Sequence, residues 1–529
     1  MEQIVAHVQD WPEGQMQQVA VGETEILLAK VNGKFYAVGA NCSHYGAPLV
    51  QGVLKGDRIA CPWHHACFKI TTGDQLEPPG LDALPQFEVR VENDAVMVRV
   101  PESAQQQRTP TMAKHQPETD ARTFVILGAG AAGSAAAEML RQQGFQGRVV
   151  MITGDRQLPY DRTLLSKAYL QGQAESAPLR SADFYQQAEI EVWTGQTVTH
   201  VEPDTQTLTV ADGSTLNYDK LLLATGGKAR RLTVPGADLD QILTLRQFAD
   251  AEQILSAAES AQHIVIVGSS FIGMEAAASL AKDHSITVVS RSAVPFEKTL
   301  GKAIGQMFQQ GHETNGVQFR LGTQVKEFKG NGKVTDVVLD SGESLPADLV
   351  ILGIGVEPAT DYLSDIDLND DGSIPVNEYL QVTEHLYAAG DIAQFPNPQT
   401  GQPTRIEHWR LAAQHGRIAA CNMLGQNVVF KGVPFFWTGQ FDLKLRYAGH
   451  AEDWDEIVIQ GNLSEYEFLA FYIKADRVLA VAGCGCDREM AAITELMRLD
   501  QLPSPGRIQT QSMDWLTHLQ AQPLCSSLY

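Results

Sequence analysis

Between residues 42 and 64 the chain carries two short runs of side chains that bind metals. Cys42-Ser43-His44 is one and Cys61-Pro62-Trp63-His64 is the other, with sixteen residues, 45–60, between them. Each run offers one thiolate and one imidazole. Two such corners match the donor set of a [2Fe–2S] centre in which two cysteines hold one iron and two histidines hold the other. Neutral imidazoles in place of two thiolates reduce the negative charge on such a cluster and raise its potential. Structural zinc is the competing reading, although its usual spacing puts both cysteines in one corner and both histidines in the other.

Two further stretches have the form of phosphate cradles. Gly128-Ala129-Gly130-Ala131-Ala132-Gly133 is a complete G-x-G-x-x-G that follows an apolar run and opens a helical one. Glycines at these places let the backbone approach a pyrophosphate seated on a helix N-terminus. Asp155, about twenty residues on, suits a ribose hydroxyl. The second stretch is Gly268-Ser269-Ser270-Phe271-Ile272-Gly273, with Ser270 at the middle glycine. Ser290-Arg291-Ser292 stands where an acid would favour NAD. An arginine there can accommodate the 2′-phosphate of NADP, so Ser290 and Arg291 lean toward NADPH or toward poor discrimination. A solvated surface role for Arg291 is the alternative.

The elements needed to position these residues are legible around them. Residues 1–100 alternate apolar and polar side chains across turns at Asn32-Gly33 and Asn93-Asp94, which predicts a small all-β domain. A segment rich in Pro, Gln and Thr, 101–121, reads as a linker and tether. The pattern then becomes α/β, and a strand–glycine turn–helix–strand unit occurs twice, from Arg122 and again near residue 262. The expected order is a first nucleotide domain at 122–244, a second at 245–347, a return to the first at 348–430 and a C-terminal α/β module at 431–529.

Composition bounds the function. A net charge of −23 argues against nucleic acid and against anionic membrane surfaces as partners. Seven cysteines, Cys525 among them, are too few for a disulfide scaffold and fit a reducing compartment. The opening MEQIVAHVQDWPEG has neither the basic nor the apolar region of a secretory signal, and the expected location is the cytoplasm.

Residues 1–100 resemble the Rieske ferredoxin family, and the resemblance implies Cys42, His44, Cys61 and His64 as the cluster ligands. Rieske proteins of respiratory complexes add a disulfide where Ala47 and Trp63 stand here, so the likeness is to the soluble ferredoxin type. That family commonly has glycine after the second histidine ligand. Here it is His65, which reads as a bystander whose backbone is strained if φ is positive. Cys67 reads as a small buried hydrophobe.

From Arg122 to about residue 430 the sequence resembles flavoprotein pyridine-nucleotide reductases. The branch is that of the ferredoxin reductases of Rieske-type oxygenase systems and the apoptosis-inducing-factor-like proteins. Pro159-Tyr160-Asp161-Arg162, Leu165-Ser166-Lys167, Ala224-Thr225-Gly226-Gly227 and Ala389-Gly390-Asp391 carry that likeness. It implies two Rossmann-like domains, for FAD and NAD(P)H, followed by a reductase interface domain. FAD contacts are implied at Gly128, Gly130, Ala132, Gly133, Asp155, Lys167, Val198, Arg246, Asp391 and Trp409, while the second unit offers Gly268, Ser270, Gly273, Ser290 and Arg291 to NAD(P)H. Lys167 is expected near the flavin, where a cation stabilises the negative charge of the reduced ring. Glu275 is expected beside Lys167 and the nicotinamide; a first-turn carboxylate favoured by the helix dipole is the alternative. Trp437 corresponds to an aromatic near the flavin, or else to a core tryptophan. Prolines common in the family are replaced by Thr163 and Leu164. Residues 122–420 contain no cysteine, which disfavours a thiol–disulfide mechanism, and Cys484 and Cys486 read as a strand end rather than a metal site.

These features predict electron flow from NADH or NADPH through FAD to the fused cluster. An exposed edge formed by His44 and His64 would then pass electrons to a further acceptor, a redox protein or a small molecule. An NAD(P)H oxidase and a redox-sensing signalling protein are the rival readings. A monomer or homodimer is expected.

Overall fold

The computed structural model describes residues 1–174 and 178–523; Cys525 and the end of the C-terminal module lie outside the described residues. The N-terminal domain is built on a six-stranded antiparallel sheet in the order Glu2–His7, Ala95–Arg99, Gln86–Glu92, Lys34–Gly39, Thr24–Val31, Met16–Val21. Both expected hairpins form. Asn32 and Gly33 have φ of 51° and 73°, and Asn93 and Asp94 have φ of 47° and 73°. Two consecutive positive φ values match the twist of the flanking strands, and Asn, Asp and Gly tolerate them best. A second antiparallel sheet, Val53–Lys55, Arg58–Ala60, Cys67–Lys69 and Gln75–Glu77, carries the second cysteine–histidine loop.

The first nucleotide domain has a five-stranded parallel sheet ordered Ile190–Trp193, Arg148–Ile152, Thr123–Leu127, Lys220–Leu223, Leu386–Ala388. Its last strand arrives from far along the chain, so the second nucleotide unit is inserted within the first. That unit has its own parallel sheet, Ile242–Thr244, Leu349–Leu352, His263–Val267, Ser285–Ser290, Gln318–Leu321. Runs such as TFVIL, HIVIV and LVIL are apolar throughout because both faces of these sheets are covered. The second sheet extends past the expected limits of 245–347: Leu349–Leu352 pairs with Ile264–Val267 and belongs to the inserted unit. A boundary placed just before an apolar strand misses that the strand has its partners upstream.

The C-terminal module is a five-stranded antiparallel sheet, Phe435–Gln440, Leu443–Gly449, Arg477–Cys484, Glu467–Lys474, Glu456–Asn462, with the helix Asp487–Arg498 against it. The segment 101–121 is not a free tether. Arg108 exchanges backbone hydrogen bonds with Ala83, both 2.9 Å, Ala113 N–H donates to the Arg141 carbonyl at 2.9 Å, and Gln116 N–H to that of Gln146 at 2.8 Å. Met112 packs on the core of the first nucleotide domain. The segment lacks apolar periodicity because it is bound through its backbone.

Candidate functional site

The two cysteine–histidine loops share one backbone plan. Cys42 N–H donates to the Ala47 carbonyl and Cys61 N–H to that of Ala66, each at 2.9 Å. Both thiols are buried, and the two rings approach one another with Nδ1 atoms 3.0 Å apart. Thiol pairs with thiol, through a Cys42–Cys61 hydrogen bond, and imidazole with imidazole, the division a two-iron cluster with two cysteines on one iron and two histidines on the other requires. Burial pulls the His44 imidazole down to about 4 and holds His64 well below its ordinary value. Both rings are therefore neutral near pH 7, as metal ligands must be. Burial pushes Cys61 up, but hydrogen bonds from Cys42 and from the Trp63 and His64 backbone bring it below the usual thiol value.

The histidine edge is half-buried against the reductase. His64 lies 4.3 Å from the Trp437 ring and His44 5.9 Å, centroid to centroid. Tyr45 stacks on His44 at 3.7 Å and donates its hydroxyl to Asp161 at 2.5 Å. The expected outward-facing edge is thus turned onto the reductase. Polar side chains on both partners draw it there: Arg180 binds Asp82 at 2.6 Å, Arg446 donates to the Trp63 carbonyl at 3.3 Å, and Arg410 pairs with Glu77.

Trp437 also lines a cavity of about 780 Å³ between the nucleotide domains and the C-terminal sheet. Gly128, Gly130, Ala132, Asp155, Lys167, Val198, Arg246, Asp391 and Trp409 line it too, as do Ser270 and Glu275. Gly133 stands behind the cradle, where a side chain would collide with the Gly128 carbonyl, whereas a Cβ on Gly130 would meet nothing nearer than Arg162 Nε at 4.0 Å. Open space over one glycine and backbone contact behind another is what a bound pyrophosphate requires. Asp155 pairs with Arg162 and accepts from the Tyr160 hydroxyl at 3.2 Å. Arg246 joins the two halves of the domain through Asp391 at 2.8 Å. The residues and the cavity fit FAD.

The chain kinks at Lys167, and Lys167 Nζ meets Glu275 Oε2 at 2.8 Å. Glu275 is 3% exposed and also accepts from Thr438 Oγ1 at 2.7 Å and from Ser166 Oγ. A carboxylate aimed at three donors is held by them; the helix dipole alone does not account for its direction. Asp161 accepts from the Thr163 N–H at 2.8 Å and from its hydroxyl at 2.7 Å, so Thr163 is held in a hydrogen-bonded turn.

Gly268, Gly273, Ser290 and Arg291 do not line the cavity; they lie where the strands His263–Val267 and Ser285–Ser290 end and the helix Phe271–Leu280 begins. Ser270 Oγ donates to the Gly353 carbonyl at 2.7 Å, and Ser290 Oγ meets Ser269 Oγ at 2.8 Å. Arg291 is exposed and has no ion pair among the described residues. Cys484 ends its strand and Cys486 precedes a helix, outside any metal-binding group among the described residues. Arg162, Ser166, Thr438 and Tyr45 join the site without having been assigned a role there. Arg162 and Ser166 lie inside the quoted motif, but Thr438 and Tyr45 become neighbours only through domain packing.

Fold and site define a flavin-dependent pyridine-nucleotide reductase that carries its own iron–sulfur domain. The chain belongs to the pyridine nucleotide-disulphide oxidoreductase family, whose model matches residues 122–416. A Rieske [2Fe-2S] domain matches 1–88 and a reductase C-terminal domain matches 435–517. Apoptosis-inducing factor 3 of Mus musculus is 41% identical over 539 residues, covering 98% of this chain and 88% of its own. Putidaredoxin reductase of Pseudomonas putida is 35% identical over 367 residues, covering 68% of this chain and 87% of its own. In the crystal structure of the covalent putidaredoxin reductase–putidaredoxin complex, a chain 31% identical superposes with a TM-score of 0.71, covering 76% of this chain and 98% of that one. The protein is an NAD(P)H-dependent FAD oxidoreductase with a Rieske cluster. Among the described residues, no helix is long and apolar enough to cross a membrane.

Proposed function

We propose that this protein takes a hydride from NADPH and delivers the electrons through its own Rieske domain to an acceptor, a redox protein or a small molecule. FAD, when bound, supplies the exchange between a two-electron donor and a one-electron carrier. The chain's own residues do the rest. Lys167 places a positive charge in the flavin cavity, and Glu275, Ser166 and Thr438 fix where that charge sits. Cys42, His44, Cys61 and His64 hold the cluster. Trp437 stands between the cavity and the histidine edge, lining the one and lying 4.3 Å from the His64 ring of the other. The contact of Trp437 with His64 at 4.3 Å, on a side chain that also lines the cavity, is the observation that carries this reading. Fusion replaces a diffusing ferredoxin by one at high effective concentration. The preference for NADPH rests on the unpaired Arg291 beside Ser290 and on the absence of an acid at that strand end. The low cysteine content supports the cytoplasm as its setting.

The test is anaerobic titration of the holoprotein with NADPH and with NADH, followed by absorbance and EPR. A reduced Rieske signal should follow flavin bleaching, at lower nucleotide concentration for NADPH. A bleached flavin beside an assembled but oxidised cluster would refute the internal route. Steady NADPH consumption in air without added acceptor would favour an oxidase instead.

A further inference from the structure

The second cluster loop contains a residue that its counterpart does not. Four residues beyond each cysteine, a backbone N–H donates back to the cysteine carbonyl: Gly46 at 3.0 Å in the first loop and His65 at 3.2 Å in the second. Both are left-handed, with φ of 74° at Gly46 and 55° at His65. Glycine takes that conformation freely, whereas a histidine does so only where its surroundings compensate. Gly46 is exposed. His65 is 1% exposed, and its surroundings are specific. Its ring stacks on Phe435 at 5.6 Å and 26°, its Nε2 lies 3.2 Å from Glu495 Oε1, and its carbonyl accepts from Arg410 Nε at 3.2 Å.

Those three partners come from three places that bear on the electron route. Phe435 lies on the strand that carries Trp437, Arg410 follows Trp409 on the helix at the flavin cavity, and Glu495 belongs to the helix Asp487–Arg498 of the C-terminal module. Glu495 is itself held by Arg58 at 3.0 Å and Arg498 at 2.8 Å. His65, Cys67 and Glu495 also lie within 4.8 Å of one another. Arg58 already donates to Cys67 Sγ at 3.0 Å as well as to Glu495, so a guanidinium, not a metal ion, balances that carboxylate.

We propose that His65 is a positioning residue: its side chain pins the second cluster loop to Phe435 and Glu495, and so keeps its neighbour His64 against Trp437. This rests on the internal electron route proposed above. A side chain of this kind lets a docked domain hold its distance without a covalent link beyond the connecting segment.

Two variants of the holoprotein test it. His65→Gly keeps the left-handed backbone and removes only the side chain; His65→Asn tolerates the same backbone but is too short to reach Glu495. In anaerobic stopped flow with NADPH, flavin bleaching should keep its wild-type rate in both. The following reduction of the cluster should slow several-fold in both, because the His64 edge is no longer held at its distance from Trp437. EPR of the chemically reduced cluster should be unchanged, and hydrogen exchange should rise at 61–66 and 433–440. Wild-type transfer rates and wild-type protection in both variants would overturn the proposal. So would failure of both to assemble a cluster, since His65 would then serve the cluster itself. If the wild type does not reduce its cluster after flavin bleaching, the electron route falls, and hydrogen exchange alone decides whether His65 pins the loop.

Discussion

Glu275 and Lys167 form an ion pair with unequal solvent access. The carboxylate side chain is 3% exposed and the lysine 24%. The lysine's charge favours electron density on a flavin in the cavity, and the carboxylate offsets part of it. Their effects on flavin potential should therefore have opposite signs. Lys167→Gln should lower the midpoint potential and Glu275→Gln should raise it, each by roughly 30 mV or more, which for a two-electron couple is about 1.4 kcal/mol. Spectroelectrochemical titration of the flavin reads this directly, and shifts of the same sign in both variants would exclude the opposed-charge account. Lys167 and Glu275 were legible because each sits beside a recognisable local motif. Ser166 lies in the same motif as Lys167, but nothing local marks its bond to Glu275, and Thr438 belongs to no motif: it is 163 residues from the group it binds.

At the scale of elements, the two cradles show why a spacing motif is readable and a domain limit is not. A glycine at the end of an apolar strand has a local reason to be there, and the reason differs from one glycine to the next. Gly133 faces the Gly128 carbonyl, whereas Gly130, with φ of −77°, faces open space. Gly133→Ala should therefore give a destabilised protein, by about 1–3 kcal/mol or more for overpacking against backbone. Gly130→Ala should fold with a wild-type far-ultraviolet spectrum yet bind FAD at least about tenfold more weakly, because its methyl takes the pyrophosphate's space. Flavin content after gel filtration and urea midpoints separate the two; normal flavin retention in Gly130→Ala would remove that glycine from the cradle. The parallel strands themselves were legible as apolar runs. Their partners were not, since Leu386–Ala388 pairs with Leu221–Leu223 across the whole inserted unit and nothing in either run names the other.

The least legible feature is how the iron–sulfur domain sits on the rest of the molecule. Its exposed alternating strands gave no hint that Glu77 would meet Arg410, 333 residues away. Yet this contact turns the histidine edge inward and changes the reading of how electrons leave. With His44 and His64 facing Trp437, an acceptor must approach another face of the domain or wait for it to move. The junction is strongly charged, which makes its strength depend on pH. Burial alone would raise the Glu77 carboxyl, but the Arg58 and Arg410 guanidiniums outweigh it and hold it at about 2. A free glutamate titrates near 4.5. A depressed carboxyl of this kind contributes its full stabilisation above the free value and loses it as pH falls toward the bound one. Docking should therefore be constant from neutral pH to about 4.5 as far as Glu77 is concerned, then weaken between about 4.5 and 2. Hydrogen exchange at residues 409–417, corrected for intrinsic rates, should show full protection at pH 5 and 7 and a loss at pH 3. Glu77→Gln should weaken protection already at pH 7, because two guanidiniums lose their counter-charge, and should flatten the dependence below pH 4.5. Equal protection of the wild type at pH 3 and pH 7 would show that docking does not depend on this carboxylate.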